Sequence, residues 1–425
     1  MNKAAGILAL SPLVVFLGLY VVISLIIGDF YKIPLTVALL VASLWALTVY
    51  RGVPFPERIE AFAIEAGNSN VLYMVWIFIL AGCFATLADK TGAVEATVAL
   101  TINQLPSNFV MPGLFMAACF ISMAIGTSVG TVVALVPLAV NYASSMGAEI
   151  PFFVAIVLGG SFFGDNLSFI SDTTIAATRT QGCNMSDKFK ANFLLALPAA
   201  LITFAIYIFG DFTIPEASSE IPSNPWLIIP YLAVIILAIS GVNVTITLVT
   251  GILLAFAFAL GEGYGIFDIL GFMGTGIDGM GNLIIITLMA AGMLGLIKAA
   301  GGIATLLNLL SRSIKGARGA QSVIALLVGI VNLCTANNTV AILTVGSISR
   351  QISERFGISP RRSASLLDTA SCVVQCLIPY GAQTLLATSL AGISPTAPWR
   401  YLFYPWILAG VVTISIVFWK YFYKR

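Results

Sequence analysis

The chain has 425 residues, of which 59% are hydrophobic and only 9% are charged. A typical soluble protein carries about 25% charged residues, so this chain is excluded from the soluble enzymes and from the disordered proteins. Its 20 basic and 18 acidic residues nearly balance, which excludes a polybasic nucleic-acid-binding surface and leaves the lipid bilayer as its surroundings. The sequence contains no histidine, so a histidine proton relay, a Ser-His-Asp triad and a histidine-ligated metal site are excluded.

A membrane-spanning helix needs about 20 apolar residues. Crossings are predicted near 5–28, 33–50, 71–89, 151–179, 191–210, 226–241, 243–261, 283–299, 362–391 and 401–419. Two further apolar stretches, 109–146 and 319–353, are interrupted by small polar residues and predict helical hairpins that enter and leave the membrane on one side. The stretches 151–179 and 362–391 also contain polar residues and are too long for one straight crossing, which predicts a broken helix in each. Unwound backbone at membrane depth is typical of transporters, because only protein or a water-filled cavity can satisfy it there.

The two halves of the chain match each other at an offset of about 210 residues, as where Ala177-Thr178 falls on Ala387-Thr388. The first repeat covers 1–210 and the second covers 211–425. Each half contains five predicted crossings, and because five is odd the second half must be inverted. The predicted fold is therefore an all-α polytopic membrane protein. It consists of two inverted repeats of five transmembrane helices, each with a re-entrant hairpin and a broken helix.

The basic residues predict the orientation of the chain in the membrane. With a cytoplasmic N-terminus, 17 of the 20 basic residues fall on cytoplasmic ends and loops, and only Lys32, Lys90 and Arg400 fall outside. Lys188 counts among those 17, and no Lys or Arg is expected at mid-membrane, because Arg179 and Lys298 lie near the predicted cytoplasmic ends. The prediction is a multi-pass protein of the bacterial cytoplasmic (inner) membrane with both termini in the cytoplasm.

Three carboxylates lie inside the broken spans: Asp165, Asp172 and Asp368. An ionisable side chain at the bilayer centre costs roughly 2.5–3.5 kcal/mol on insertion scales, so each one needs a reason to be there. The first break offers side-chain oxygens that suit a hard alkali cation, from Asp165, Asn166, Ser168, Ser171, Asp172, Thr173 and Thr174. The alternative for residues 171–173 is that they only cap the second half-helix. The sequence leaves the role of Asp368 open.

Polar residues at the two hairpin tips and in the second break are further candidates. The first tip contains Gly126, Thr127 and Ser128, and the second contains Asn337, Asn338 and Thr339. Glycine and threonine also serve close helix packing, which is the alternative for the tips. With Gln375, Tyr380 and Gln383 of the second break, the second tip either binds a polar organic solute or makes only structural hydrogen bonds.

The string FFGDNLSFISDTTIAAT (162–178) resembles the GD-x-x-SPLSDTT string of the NhaC-type sodium/proton antiporter family, part of the larger ion-transporter superfamily. GTSVGT (126–131) and LIPYG (377–381) are also similar to strings of that family. The resemblance implies two inverted repeats, a transport unit that slides against a scaffold, and a homodimer. It also implies a cation site lined by Asp165, Asn166, Ser168, Asp172, Thr173, Gly126, Thr127 and Ser128. The same family includes sodium-coupled carriers of malate/lactate and of amino acids.

The function predicted from the sequence is therefore secondary active sodium/proton antiport, with Na⁺ and H⁺ competing for Asp165 and Asp172 and with no resident cofactor. The alternative is a sodium-coupled carrier of an amino acid or a small organic anion, in which the tip at 337–339 binds the solute. A membrane-embedded enzyme is disfavoured, since a histidine-free chain without an extended catalytic loop lacks a nucleophile paired with a base. A channel is disfavoured because broken, inverted repeats suit alternating access.

Overall fold

The computed structural model describes residues 3–23, 26, 34–93, 96, 107–125, 127–168, 171–210, 224–240, 242–311 and 314–418. All regular structure within these ranges is helical. This follows from the composition, because a chain surrounded by lipid must satisfy its backbone hydrogen bonds internally and helices do so within one segment. The predicted crossing at 5–28 is described only in part, and the tip residue Gly126 lies outside the described residues.

The first half begins with short helices and continues into long apolar ones. The α-helices are α1 (Lys3–Leu8), α2 (Ser11–Leu17), α3 (Leu35–Val49), α4 (Phe55–Ala66), α5 (Ser69–Lys90), α6 (Ser107–Ile125), α7 (Ser128–Ser145), α8 (Ile150–Leu167), α9 (Asp172–Gln181) and α10 (Met185–Phe209). A π-helical turn, Gly18–Val22, extends α2. The predicted hairpin at 109–146 corresponds to α6 and α7, which pack against each other, and the break predicted within 151–179 separates α8 from α9.

The second half shows the same kinds of interruption. Its α-helices are α11 (Ile229–Ile239), α12 (Val244–Gly261), α13 (Ile266–Gly279), α14 (Gly281–Ala299), α15 (Gly302–Ser311), α16 (Gly316–Thr335), α17 (Asn338–Phe356), α18 (Pro360–Leu377), α19 (Ala382–Leu390) and α20 (Phe403–Val417). Short 3₁₀ helices, Pro225–Ile228 and Ala397–Tyr401, precede α11 and α20. Helices α16 and α17 form the second hairpin, and a break separates α18 from α19.

Eight helical segments of the described chain are long and apolar enough to cross a membrane. They are Val71–Lys90, Ser128–Ser145, Ile150–Gln181, Met185–Phe209, Val244–Gly261, Ile266–Ala299, Gly316–Thr335 and Pro360–Leu390. Shorter apolar helices include Leu35–Val49, Phe109–Met123 and Phe403–Val417. The prediction of an all-helical polytopic membrane protein is confirmed.

Two amphipathic helices, α4 and α13, lie where the sequence suggested only connections. Each packs on a transmembrane helix through glycine, α4 on α14 and α13 on α5. A Cβ atom on Gly82 of α5 would lie 2.3 Å from the carbonyl oxygen of Gly276 of α13, so the two backbones are in direct contact. Small residues permit this close approach, which gives helices in lipid much of their van der Waals attraction.

Helix α8 is the central element of the molecule. It contacts α6 and α7 on one side, and α10, α18 and α20 on others. Nearly every side chain from Phe152 to Leu167 is buried, and Gly160 and Gly164 let α8 lie directly against α6. The end of α8 is therefore placed in the interior, where the polar residues of its break meet residues of the second half.

Candidate functional site

The carboxylate of Asp165 meets the tip of the first hairpin. Asp165 lies in the last turn of α8 and is 4% exposed. The backbone N–H of Ser128 donates to its Oδ1 at 3.0 Å, and the Ser128 hydroxyl donates to its Oδ2 at 2.5 Å. Ser128 is the first residue of α7, so its N–H has no acceptor within its own helix. These two bonds join the tip to the break, two segments that the family resemblance assigned to one cation site.

A chain of hydrogen bonds extends from Ser128 into the second half. The Gln383 amide donates to the Ser128 hydroxyl at 3.0 Å, and the Gln375 amide donates to Gln383 Oε1 at 2.9 Å. The same Gln375 amide lies 2.9 Å from the carbonyl oxygen of Ala336, at the second tip. Residues that the sequence assigned to two candidate sites, one for a cation and one for a solute, are thus parts of a single network.

This network borders a cavity of about 390 Å³. Both breaks and both tips line it, together with α5; the polar lining residues are Tyr73, Thr127, Ser128, Asp165, Ser171, Asp172, Thr173, Arg179, Asn337, Asn338, Thr339 and Gln383. Asp172, in the first turn of α9, is exposed, whereas Asp165 is buried. The cavity therefore brings together two carboxylates and several neutral oxygens, the ligand class that alkali cations prefer.

Ser171 caps α9, as the alternative interpretation of this sequence proposed. Its hydroxyl accepts from the backbone N–H of Thr174 at 3.2 Å and lies 3.1 Å from the carbonyl oxygen of Asp165. Because Ser171 makes the cap, the carboxylate of Asp172 is not needed for it. The two interpretations are compatible: Ser171 stabilises the helix end while Asp172 faces the cavity.

Two residues of the predicted cation set lie away from the cavity lining. The Asn166 amide donates to the carbonyl oxygen of Phe162 at 2.9 Å and to the Tyr404 hydroxyl at 3.3 Å, inside the helix packing. Ser168 is buried, and its carbonyl oxygen accepts from the Thr174 hydroxyl at 2.8 Å. The structure thus brings Asp165, Asp172, Ser171, Thr173, Thr127 and Ser128 to the cavity and places Asn166 and Ser168 behind it.

The residues of the second tip and break also divide into those that line the cavity and those that lie outside its lining. Asn337 caps α17, since its Oδ1 accepts from the backbone N–H of Val340 at 3.0 Å, and it also lines the cavity. The Tyr380 hydroxyl donates to the carbonyl oxygen of Leu333 at 2.7 Å and lies outside the lining. Tyr380 therefore makes a structural hydrogen bond, whereas the residues at 337–339 and Gln383 are accessible to a solute.

A buried ion pair, which the sequence did not predict, lies behind the first break. Lys188 Nζ lies 2.8 Å from Asp368 Oδ2, with the two side chains 1% and 0% exposed. The sequence placed Lys188 among the cytoplasmic ends and loops but did not indicate that its side chain is buried in an ion pair. Arg179 was also placed only at a helix end, although it lines the cavity. The sequence signal for Lys188 was Asp368 itself, a buried carboxylate that needs a partner.

Nearly the whole chain is similar to one known protein family. A profile of the Na⁺/H⁺ antiporter family matches residues 4–211 and 214–420, nearly the whole chain. The chain belongs to the Na⁺/H⁺ antiporter family. Family membership makes it an integral membrane protein of a transporter family whose substrates are Na⁺ and H⁺, in agreement with the resemblance described above.

Two named proteins and one solved structure are similar to this chain over most of its length. The malate-2H⁺/Na⁺-lactate antiporter of Bacillus subtilis (strain 168) is 20% identical over 96% of this chain and 94% of its own. The Na⁺/H⁺ antiporter NhaC of the same organism is 24% identical over 80% of this chain and 82% of its own. The crystal structure of the Alcanivorax borkumensis YdaH transporter covers 91% of this chain and 98% of its own, with 13% identity and a TM-score of 0.47.

Proposed function

We propose that this chain is a secondary active sodium/proton antiporter in which Na⁺ and H⁺ compete for Asp165 and Asp172. The observation that carries the proposal is the position of Asp165, a buried carboxylate at the contact between the first break and the first tip that also lines an accessible cavity. A bare carboxylate out of water is unfavourable, so the site exchanges one cation for another rather than standing empty. The chain's own residues supply the binding oxygens, and no cofactor is needed.

We further propose the inverted repeat, divided at 1–210 and 211–425. Helices α8 and α18 support it, since Ile150 and Pro360, at which they begin, are separated by the same 210 residues as Leu167 and Leu377, at which they end. Hydrogen bonds repeat at that offset as well. Ser122 Oγ donates to the carbonyl oxygen of Ser161 at 2.5 Å, and Asn332 Nδ2 donates to that of Ser371 at 2.8 Å.

Such a pair of repeats suits alternating access, in which a unit containing hairpins and breaks slides against a scaffold. The proposal includes a homodimer, both termini in the cytoplasm, and the bacterial inner membrane as the location. The asymmetry of the basic residues, with 17 of 20 on one side, supports the orientation.

The test is a transport assay in inverted membrane vesicles with a preset ΔpH. Addition of Na⁺ should collapse the gradient for the wild-type protein, and Asp165→Asn and Asp172→Asn should each abolish the response. Asp187→Asn is the matched control, because Asp187 lies in the first turn of α10 and outside the cavity lining. Full activity in both cavity variants would refute the assignment of these carboxylates.

A second candidate function is the sodium-coupled transport of an amino acid or a small organic anion. The cavity of about 390 Å³ favours it, because Asn337, Asn338, Thr339 and Arg179 line a space larger than a bare ion needs. The malate/lactate relative adds weak support. Uptake of a labelled solute that requires Na⁺ and produces no ΔpH response would favour this function over sodium/proton antiport.

A further inference from the structure

The Lys188 ammonium has an acceptor for each of its three protons. Its Nζ lies 2.8 Å from Asp368 Oδ2, 2.9 Å from the carbonyl oxygen of Asn166 and 2.6 Å from Thr174 Oγ1. The side chain is 1% exposed, so these protein atoms replace water around the charge. A buried ion pair persists only when its remaining hydrogen-bonding capacity is satisfied in this way.

The ammonium lies at the end of a half-helix. Asn166 is the last residue but one of α8, and the carbonyl groups at a helix C-terminus carry partial negative charge that a cation stabilises. Asn192 lies one turn beyond Lys188 on α10 and shares two of its three acceptors. The Asn192 amide donates to the Asn166 carbonyl oxygen at 2.8 Å and to Asp368 Oδ2 at 2.6 Å. Helix α10 thereby joins the break after α8 to α18.

Asp368 differs from the other two carboxylates in its relation to the cavity. Asp165 and Asp172 line the cavity, whereas Asp368 is 0% exposed and absent from the lining. Asp368, the carboxylate outside the cavity, is therefore already paired with a cation of the protein itself, the Lys188 ammonium.

We propose that Lys188 and Asp368 form a permanent internal ion pair, which positions the α8–α9 break for Na⁺ at Asp165 and Asp172 and itself exchanges neither Na⁺ nor H⁺. Lys188 and Asp368 are thus positioning residues, and only two carboxylates take part in exchange. The inference rests on the proposed antiport.

The test compares Lys188→Gln, Asp368→Asn and the double variant in proteoliposomes. The initial rate of Na⁺-driven proton movement, its pH profile and the Na⁺:H⁺ ratio are measured for each. Each single variant should lose activity about tenfold or more, because one buried charge remains uncompensated. The double variant should recover most of the rate with the wild-type ratio and pH profile, since Gln and Asn keep hydrogen-bonding groups without net charge. Lys190→Gln, an exposed lysine on the same helix, should behave as wild type.

Each other outcome overturns the inference. A double variant with a changed Na⁺:H⁺ ratio or pH profile would show that the pair exchanges ions, for example through Asp368 Oδ1, which has no hydrogen-bond partner among the described residues. Single variants as active as wild type, or a folded double variant as inactive as the singles, would show that charge compensation is not what positions the break. If the wild-type protein gives no Na⁺ response, the proposed antiport fails. The pair is then tested by thermal unfolding, in which the singles should be destabilised and the double restored.

Discussion

Ser128 is the residue on which the candidate site most directly depends. It donates two hydrogen bonds to Asp165, and its hydroxyl accepts a third from Gln383. Ser128→Ala removes the hydroxyl and leaves the backbone bond in place. Loss of a hydrogen bond to a charged group costs about 1.5–3 kcal/mol, which corresponds to about tenfold or more in affinity. Because the hydroxyl favours the ionised carboxylate over the protonated one, the Na⁺ concentration for half-maximal response should rise by this factor.

The vesicle ΔpH assay at a series of Na⁺ concentrations measures this change. Ser144→Ala serves as the control, since the Ser144 hydroxyl bonds only to the Val140 carbonyl oxygen of its own helix in the described structure. An unchanged half-maximal Na⁺ concentration for Ser128→Ala would mean that the Ser128 hydroxyl does not tune Asp165.

Glu149 makes a pH-dependent contact just before the start of α8. The Tyr401 hydroxyl, and after it the Arg400 guanidinium, hold the pKa of the Glu149 carboxyl below its usual value. Stabilisation from a lowered pKa is complete above the ordinary value of about 4.3 and is lost as the pH falls through the lower, folded-state value. Since the Glu149 side chain is 57% exposed, its contact with Arg400 and Tyr401 contributes less than about 1 kcal/mol to the free energy of unfolding.

Glu149→Gln should therefore lower the unfolding temperature slightly at pH 7, and the difference from wild type should shrink at pH values below about 4. Thermal unfolding of the detergent-purified proteins across this range measures the effect. Glu60→Gln, an exposed change on α4, is the control. A difference that grows on acidification would contradict the lowered pKa.

At the residue scale, the sequence predicted Asp165 and Asp172 because few carboxylates of this apolar chain lie inside a span. The sequence did not predict the burial of Lys188, because Lys188 follows soon after the end of α9 and so resembles a loop residue. Its burial depends on Asp368, which is distant in the sequence and reaches it only through the packing of α10 against α18. Proximity of that kind is a property of the folded chain.

At the scale of the elements, a substitution at the contact between α5 and α13 tests whether close glycine packing stabilises the amphipathic helix α13. Gly82→Leu would place a Cβ 2.3 Å from the Gly276 carbonyl oxygen, so the helices must separate and lose their contact. The variant should unfold at a clearly lower temperature, with a cost of about 1–3 kcal/mol typical of overpacking. Fluorescence-detected thermal unfolding in detergent measures it.

The control is Gly274→Ala, on the partner helix α13 close to Gly276, where an added Cβ meets nothing within 4 Å. It should be neutral or slightly stabilising, since alanine favours the helix by about 1 kcal/mol over glycine. Equal stability of Gly82→Leu and wild type would mean that α13 does not pack closely against α5 in the folded protein.

The elements differ in how far the sequence predicted them. Polar interruptions in apolar runs predicted the breaks between α8 and α9 and between α18 and α19, because a polar cluster in lipid needs unwound backbone or a cavity. Helices α4 and α13 were missed, since their charged residues, such as Glu57 and Asp268, gave these segments the polarity of loops. Their contacts with α14 and α5 depend on glycines of those two helices, which no pattern within α4 or α13 indicates.

For the whole molecule, the orientation in the membrane remains a proposal that one native thiol can test. Five of the six cysteines are buried, and Cys183, between α9 and α10, is half-buried. The basic residues Arg179 and Lys190 on either side predict that this connection is cytoplasmic. Burial and the neighbouring Asp187 raise the pKa of the Cys183 thiol, so labelling with a maleimide should be carried out at alkaline pH, where more thiolate forms.

A membrane-impermeant maleimide should therefore label the protein in inverted vesicles and leave it unlabelled in right-side-out vesicles. Cys183→Ser should abolish the labelling, which shows that the signal comes from this thiol rather than from the buried five. Labelling confined to right-side-out vesicles would reverse the proposed topology. It would place the connection between α9 and α10 outside, and the 17 basic residues would then lie on the outer face, against the charge asymmetry from which the orientation was inferred.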